Sequence, residues 1–138
     1  MKIRDLMTEN PETARVDESV QSVAQRMATG DFGFVPVCDG TRVIGAVTDR
    51  DLTTRVLAKG LSPTTPVAEV MTRDIFTCSK DDSIDEVLNA MGEHQLRRFP
   101  IVTDNGDLVG VVSIGDLTKR AREKDTGETL ADISKPTH

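Results

Sequence analysis

Gly45-Ala-Val-Thr-Asp-Arg-Asp51 returns 65 positions later as Gly110-Val-Val-Ser-Ile-Gly-Asp116, and a leucine, Leu52 or Leu117, follows each copy. Each reads glycine, two apolar residues, a hydroxyl residue, two spacers and an aspartate. The apolar pair predicts a buried strand. The hydroxyl and the acid mark the place where that strand gives way to a helix. Unpaired N–H groups point outward at a helix start, so such a junction favours an anion.

Outward from this motif the rest of the chain repeats as well. A shift of 64 matches Ile3-Arg-Asp-Leu-Met-Thr8 with Val67-Ala-Glu-Val-Met-Thr72, and then Thr13 with Thr77, Asp17 with Asp81, Ser19 with Ser83, Val23 with Val87, Met27 with Met91 and Pro36 with Pro100. After one extra residue in the second copy the shift becomes 65, and Val47, Thr53 and Arg55 match Val112, Thr118 and Arg120. So many ordered matches across a single gap identify a tandem duplication.

Each copy alternates its periodicity. Asp17-Glu18-Ser19 is a polar helix start, with acids suited to a first turn. Val20, Val23, Ala24 and Met27 fall on one helical face, Gly30 is the expected stop, and Ile84, Val87, Leu88 and Met91 repeat the face. Phe34–Cys38 and Val43–Thr48 flank Asp39-Gly40, as Phe99–Thr103 and Leu108–Ser113 flank Asn105-Gly106. These predict two hairpins. Helices are expected from Leu52 to about Ala58 and from Leu117 to about Arg122, and small strands near Glu12–Ala14 and Phe76–Cys78. The expected organisation is a first repeat over 1–60, a proline-containing linker over 61–66, a second repeat over 67–123 and a polar, disordered tail over 124–138. A unit of about 60 residues buries little alone, so the halves are expected to pack around a pseudo-two-fold axis in an α+β (α/β-like) fold.

Composition narrows the function classes. With 37% hydrophobic and 29% charged residues the chain reads as a soluble globular protein. There is no apolar run near 18 residues for a membrane span, and the first residues lack the apolar run of a signal peptide, so a cytoplasmic protein is expected. A net charge of −6 argues against nucleic-acid and anionic-membrane partners. Cys38 and Cys78 align with Val102 and Ala14, which makes them small buried hydrophobes rather than metal or redox ligands. His94 and His138 are the two histidines, so neither a metal site nor a His-based catalytic site is expected. There is no P-loop, and no catalytic residue is assigned. Asp49, Asp104 and Asp107 read as turn and loop acids.

An Asp-Leu-Met-Thr lead, a helix, a Val-Pro-Val strand and a Gly-x-x-Thr/Ser-x-x-Asp junction, each present twice in exact or degenerate form, resemble a tandem CBS-domain pair. The resemblance covers residues 2 to about 122 and is closest to the stand-alone bacterial pairs. It implies two β-α-β-β-α units forming an intramolecular disc, and a homodimer of such discs. It also implies an adenosine-containing ligand: AMP, ADP or ATP, with NAD and S-adenosylmethionine as alternatives. The regulated protein partner is unknown.

The residues can be given roles. Asp51 and Asp116 each offer two acceptor oxygens to a ribose, and Thr48 and Ser113 offer hydroxyls beside the helix start. The same spacing is that of a capping box, so two readings stand: a ligand site, or a ligand-free dimerising adaptor whose junctions only cap helices. Arg97 and Arg98 stand where the first copy has Gly33 and Phe34. By family analogy these positions meet phosphates, which an arginine fork suits. A stronger cleft is therefore expected at Ser113, Gly115, Asp116, Arg97 and Arg98. The resemblance adds Met7, Asn10, Glu12, Phe32 and Gly33 to its adenine end. A weaker cleft is expected at Thr48, Arg50 and Asp51. Phe32, Phe34, Phe76 and Phe99 are all expected near the cleft mouths, where core packing is the favoured use and adenine stacking the alternative. The function expected is a non-catalytic sensor of adenine nucleotides.

Overall fold

The computed structural model describes residues 1–124, with side chains through Lys119. The tail expected over 124–138 lies outside the described residues, apart from Lys124 at the end of a helix. The elements are β1 (Thr8–Glu9), β2 (Ala14–Arg15), α1 (Val20–Gly30), β3 (Phe34–Asp39), β4 (Arg42–Thr48), α2 (Asp49–Asp51) continuing as a π-helical stretch Leu52–Leu57, β5 (Thr72–Arg73), β6 (Cys78–Ser79), α3 (Ile84–His94), β7 (Arg98–Val102), β8 (Leu108–Ser113) and α4 (Ile114–Lys124). Short 3-10 turns at Ile3–Asp5 and Val67–Glu69 precede β1 and β5.

Local chemistry accounts for these boundaries. Ser19 and Ser83 cap α1 and α3 by accepting the Ser22 and Glu86 N–H groups, each at 3.1 Å. Of the expected stripes, Val20, Val23 and Met27 in α1 and Val87 and Met91 in α3 are buried, Ile84 and Leu88 are partly buried, and Ala24 is exposed. Gly40 and Gly106 take positive φ, 63° and 88°, in the two hairpin turns. Two helix-end expectations are corrected. Asp17 and Glu18 precede α1 instead of occupying its first turn, because Ser19 takes the cap. Gly30 is the last helical residue, and Asp31 (φ 56°) makes the left-handed exit, as Gln95 (φ 54°) does after α3. The helices after the junctions start earlier than expected, at Asp49 and Ile114, so each junction acid lies inside a first turn.

The chain divides into two compact units, and each combines segments that are distant in sequence. The first-copy unit holds Pro11–Phe76 and Asp104–Leu108. Its sheet runs β2-β3-β4-β5, with β2 parallel to β3 and the other pairs antiparallel. Its core joins Ala14, Val20, Val23, Met27, Val35, Val37 and Val47 to Val67, Val70 and Met71 from the second copy's lead. Within this unit the Leu108 N–H donates to Thr41 O at 2.9 Å and Thr41 Oγ1 donates to Asp107 Oδ1 at 2.8 Å.

The second-copy unit holds Met1–Asn10, Thr77–Thr103 and the chain from Val109 onward. Its sheet runs β1-β8-β7-β6, with β6 parallel to β7 and β1 antiparallel to β8. Its core joins Cys78, Val87, Met91, Phe99, Ile101, Val112 and Leu117 to Ile3 from the first copy's lead. The sheets thus exchange leads. Ile3 and Val67 are both fully buried, and burying side chains of this size stabilises by about 1.5–3 kcal/mol each. Among the described residues no helix is long and apolar enough to cross a membrane.

Candidate functional site

The glycine that opens each motif is there because the exchanged lead crosses its strand. A methyl group on Gly45 would lie 2.6 Å from Thr72 O and 2.8 Å from Met71 Sδ; one on Gly110 would lie 2.8 Å from Thr8 O and 2.5 Å from Met7 Sδ. Val47 and Val112 then turn into the cores, and the strands end at Thr48 and Ser113.

The two junctions that follow have one geometry. The Asp51 N–H donates to Thr48 Oγ1 at 3.1 Å and the Thr48 N–H donates to Asp51 Oδ2 at 2.9 Å. The Asp116 N–H donates to Ser113 Oγ at 3.1 Å and the Ser113 N–H donates to Asp116 Oδ2 at 2.9 Å. Both are reciprocal capping boxes. The helix itself therefore uses the hydroxyl and one carboxylate oxygen at each junction, and the other carboxylate oxygen is left. Asp51 Oδ1 lies 3.7 Å from Arg55 Nε.

A second bond ties each helix start to the backbone just before the hairpin. The Ile114 N–H donates to Arg97 O at 2.8 Å, and at the aligned place the Asp49 N–H donates to Gly33 O at 3.0 Å. Arg97 is thereby tied to the first helical residue beside Ser113, Gly115 and Asp116, and Arg98 follows as the first residue of β7. Both arginines are exposed, and neither guanidinium has an acidic partner among the described residues. The Gly115 N–H has no acceptor among the described residues either.

The first junction also differs at Asp49, expected as a turn or loop acid. Asp49 opens α2, and its Oδ1 accepts the Arg50 N–H at 2.9 Å. The same carboxylate lies over Gly33, where a methyl group would meet Asp49 Oδ2 at 2.8 Å. The signal for this was present in the alignment, since Asp49 matches Ile114 and so a charge replaces an apolar residue. The Arg50 side chain is exposed and makes no described ion pair.

The remaining expected residues fall in different places. Met7 and Asn10 belong to the second-copy unit; Met7 packs on its core and Asn10 takes φ 50° directly after β1. Glu12, Phe32 and Gly33 belong to the first-copy unit. Glu12 lies 3.4 Å from Arg26, and Phe32 packs against the core beside Gly33. Phe99 is fully buried and Phe76 is partly exposed.

Arg26 organises a network absent from the second copy, where Ala90 is aligned. It donates to Glu18 at 2.7 Å and to Thr13 O at 2.6 Å, and Ser22 Oγ donates to Glu18 at 2.6 Å. Partial burial raises the Glu18 pKa, but the Ser22 and Arg26 hydrogen bonds and the Arg26 charge outweigh it, so the carboxyl sits below its ordinary range. Burial and the carboxylates of Asp82 and Glu86 push the Cys78 thiol up to about 12, and burial also raises Cys38. Both thiols are free and buried, as expected.

The CBS domain family model matches residues 3–58 and 67–123. Hypoxic response protein 1 of Mycobacterium tuberculosis is 38% identical over 122 residues, which is 87% of this chain and 85% of that protein. CBS domain-containing protein YhcV of Bacillus subtilis is 34% identical over 133 residues, 96% of this chain and 94% of that protein. The crystal structure of hypoxic response protein I with two coordinated zinc ions superposes with a TM-score of 0.79 at 36% identity, covering 86% of this chain and 98% of that one. A CBS domain pair in complex with 5′-methylthioadenosine and S-adenosyl-L-methionine gives a TM-score of 0.79, covering 91% and 98% of the two chains; at 24% identity that likeness is one of fold. Among the described residues here, no three His, Cys, Asp or Glu side chains gather closely enough to hold a metal ion.

Proposed function

The chain belongs to the CBS-domain family, as a tandem pair, and from that premise we propose that it is a non-catalytic regulatory module that binds an adenine nucleotide, AMP, ADP or ATP, at the Ser113–Asp116 junction. The observation that carries this reading is the Ile114–Arg97 hydrogen bond. It ties the backbone of Arg97, whose side chain is exposed and makes no ion pair among the described residues, to a helix start whose Gly115 N–H has no acceptor among them. Phosphate would take the arginine forks and that N–H. The ribose would take the second Asp116 oxygen, leaving the cap intact. Met7 and Asn10, in the same unit as Ser113–Asp116, are proposed for the adenine end. The Thr48, Arg50 and Asp51 junction is the weaker site. A cytoplasmic homodimer acting on a separate protein completes the proposal, with ligand shifting the population of two arrangements.

Isothermal titration with AMP, ADP, ATP, NAD and S-adenosylmethionine tests it. Asp116→Ala and Asp51→Ala each remove a cap and are expected to lose about 1 kcal/mol of stability. Asp116→Ala is expected to weaken nucleotide binding more; the reverse order would refute the assignment. The reciprocal caps favour a second reading, a ligand-free adaptor. On that reading both substitutions cost stability, yet no nucleotide ever raises the melting temperature.

A further inference from the structure

The chain has five methionines, Met1, Met7, Met27, Met71 and Met91. Met27, Met71 and Met91 are buried, at 6%, 6% and 4% exposure, while Met1 is 51% exposed ahead of the first element. Met7 differs from both groups, being packed on a core and partly exposed at once. Its sulfur rests on the backbone of Gly110, where an added methyl group would meet Sδ at 2.5 Å. Met71 has the same seat on Gly45 in the other unit, with Sδ 2.8 Å from such a methyl, but there it is buried. The duplicated seat thus admits a small solute in one copy only. Met7 also stands directly before β1, an edge strand of two residues that pairs with Gly110 and Val111 of β8. The far end of this lead is held by the buried Ile3, whose N–H donates to Asp82 O at 2.8 Å. The near end has the short β1 pairing and the seated Met7. A thioether is apolar and fits that seat. A sulfoxide carries a strong dipole and one more oxygen, has no room against Gly110, and costs free energy wherever its oxygen stays unsolvated.

We propose that Met7 is a redox modification site, at which oxidation by a peroxide releases β1 from β8. The Met7 sulfur attacks one oxygen of the peroxide, and the S–O bond forms as the O–O bond breaks. The sulfur gives up two electrons; the departing oxygen takes the proton of the transferred one and leaves, from hydrogen peroxide, as water. The sulfoxide oxygen then turns to solvent, which lifts the side chain off Gly110 and draws β1 away, while Ile3 keeps the start of the lead in place. The element with two states is β1, docked or released. A methionine sulfoxide reductase returns the thioether and lets the strand dock again. The proposal rests on the exchange of leads and not on the nucleotide reading.

The test treats the full chain with hydrogen peroxide, maps oxidation by peptide mass, and follows amide hydrogen exchange in the same samples. Met7 is expected to oxidise about tenfold or more ahead of Met27, Met71 and Met91, because susceptibility follows exposure. Exchange at Thr8, Glu9, Gly110 and Val111 should rise about tenfold or more as Met7 is converted, and exchange at the equivalent Gly45, Ala46, Thr72 and Arg73 should not. Reductase treatment should restore the original rates. Met7→Leu, a volume-conserving change without a sulfur, should keep the slow rates in peroxide. Met1 still oxidises in that variant, so the comparison isolates Met7. Met7 oxidised no sooner than the buried methionines would overturn the proposal. So would unchanged exchange along β1 after Met7 is converted, or an equal rise in Met7→Leu. The reductase arm uses the unaltered chain and decides the matter even where Met7→Leu folds poorly: rates that stay high once the thioether is back would count against the release of β1.

Discussion

Gly45 is required by what lies against it, namely Thr72 O and Met71 of the exchanged lead. Gly45→Ala is expected to destabilise the protein by about 1–3 kcal/mol, an overpacking cost against backbone that cannot swing away. The check is a denaturant midpoint compared with Gly40→Ala, which meets nothing within 4 Å but is strained by its positive φ. Glu18 supplies a pH effect. Its folded pKa is depressed, so its contribution is complete above the ordinary glutamate pKa and is lost as pH falls through the lower folded value. Glu18→Gln should therefore lower stability near neutrality by about 1–2 kcal/mol and leave a flatter acid limb; an unchanged acid limb would remove Glu18 from the account.

At the scale of elements, the exchange of leads has a direct consequence. Residues 1–60 alone lack β5 and the buried Val67, and residues 67–138 alone lack β1 and the buried Ile3. Neither fragment is expected to unfold cooperatively by itself, while an equimolar mixture should regain cooperative melting; a sharp transition in either fragment alone would contradict the exchange. The hairpins and first helices were legible because Asp39-Gly40, Asn105-Gly106 and the Val/Met stripes each carry a local signal. The edge strands β1 and β5 were not, since each is two residues long and its partner strand lies in the other copy. The same limit applies to the proposed site. Ser113 and Asp116 could be named from the repeat, and Arg97 by family analogy where it breaks the repeat, but the Asp49–Arg50 contact and the open Gly115 N–H depend on hydrogen bonding that spacing does not reveal. The π-helical stretch Leu52–Leu57 was also illegible, because its counterpart in α4 follows a matching sequence with ordinary helical geometry.

For the whole molecule, the proposal sets two exposed arginines against a net charge of −6. An acidic protein repels free anions at long range, so nucleotide binding must come from local contacts and should weaken only modestly between low and physiological salt. A ligand that binds only the folded state stabilises it by about 2.7 kcal/mol at a hundredfold excess over Kd, which makes melting temperature a second readout. The most direct measurement is isothermal titration of the full chain with AMP, repeated on Arg97→Ala/Arg98→Ala. That variant changes two exposed side chains that make no described ion pair, so its fold should be kept. Saturable binding by the unaltered protein, weakened about tenfold or more in the variant, is the result predicted. Equal affinity in both proteins, or no binding by the unaltered chain at millimolar AMP, would contradict the assignment of the Ser113–Asp116 junction as an AMP site.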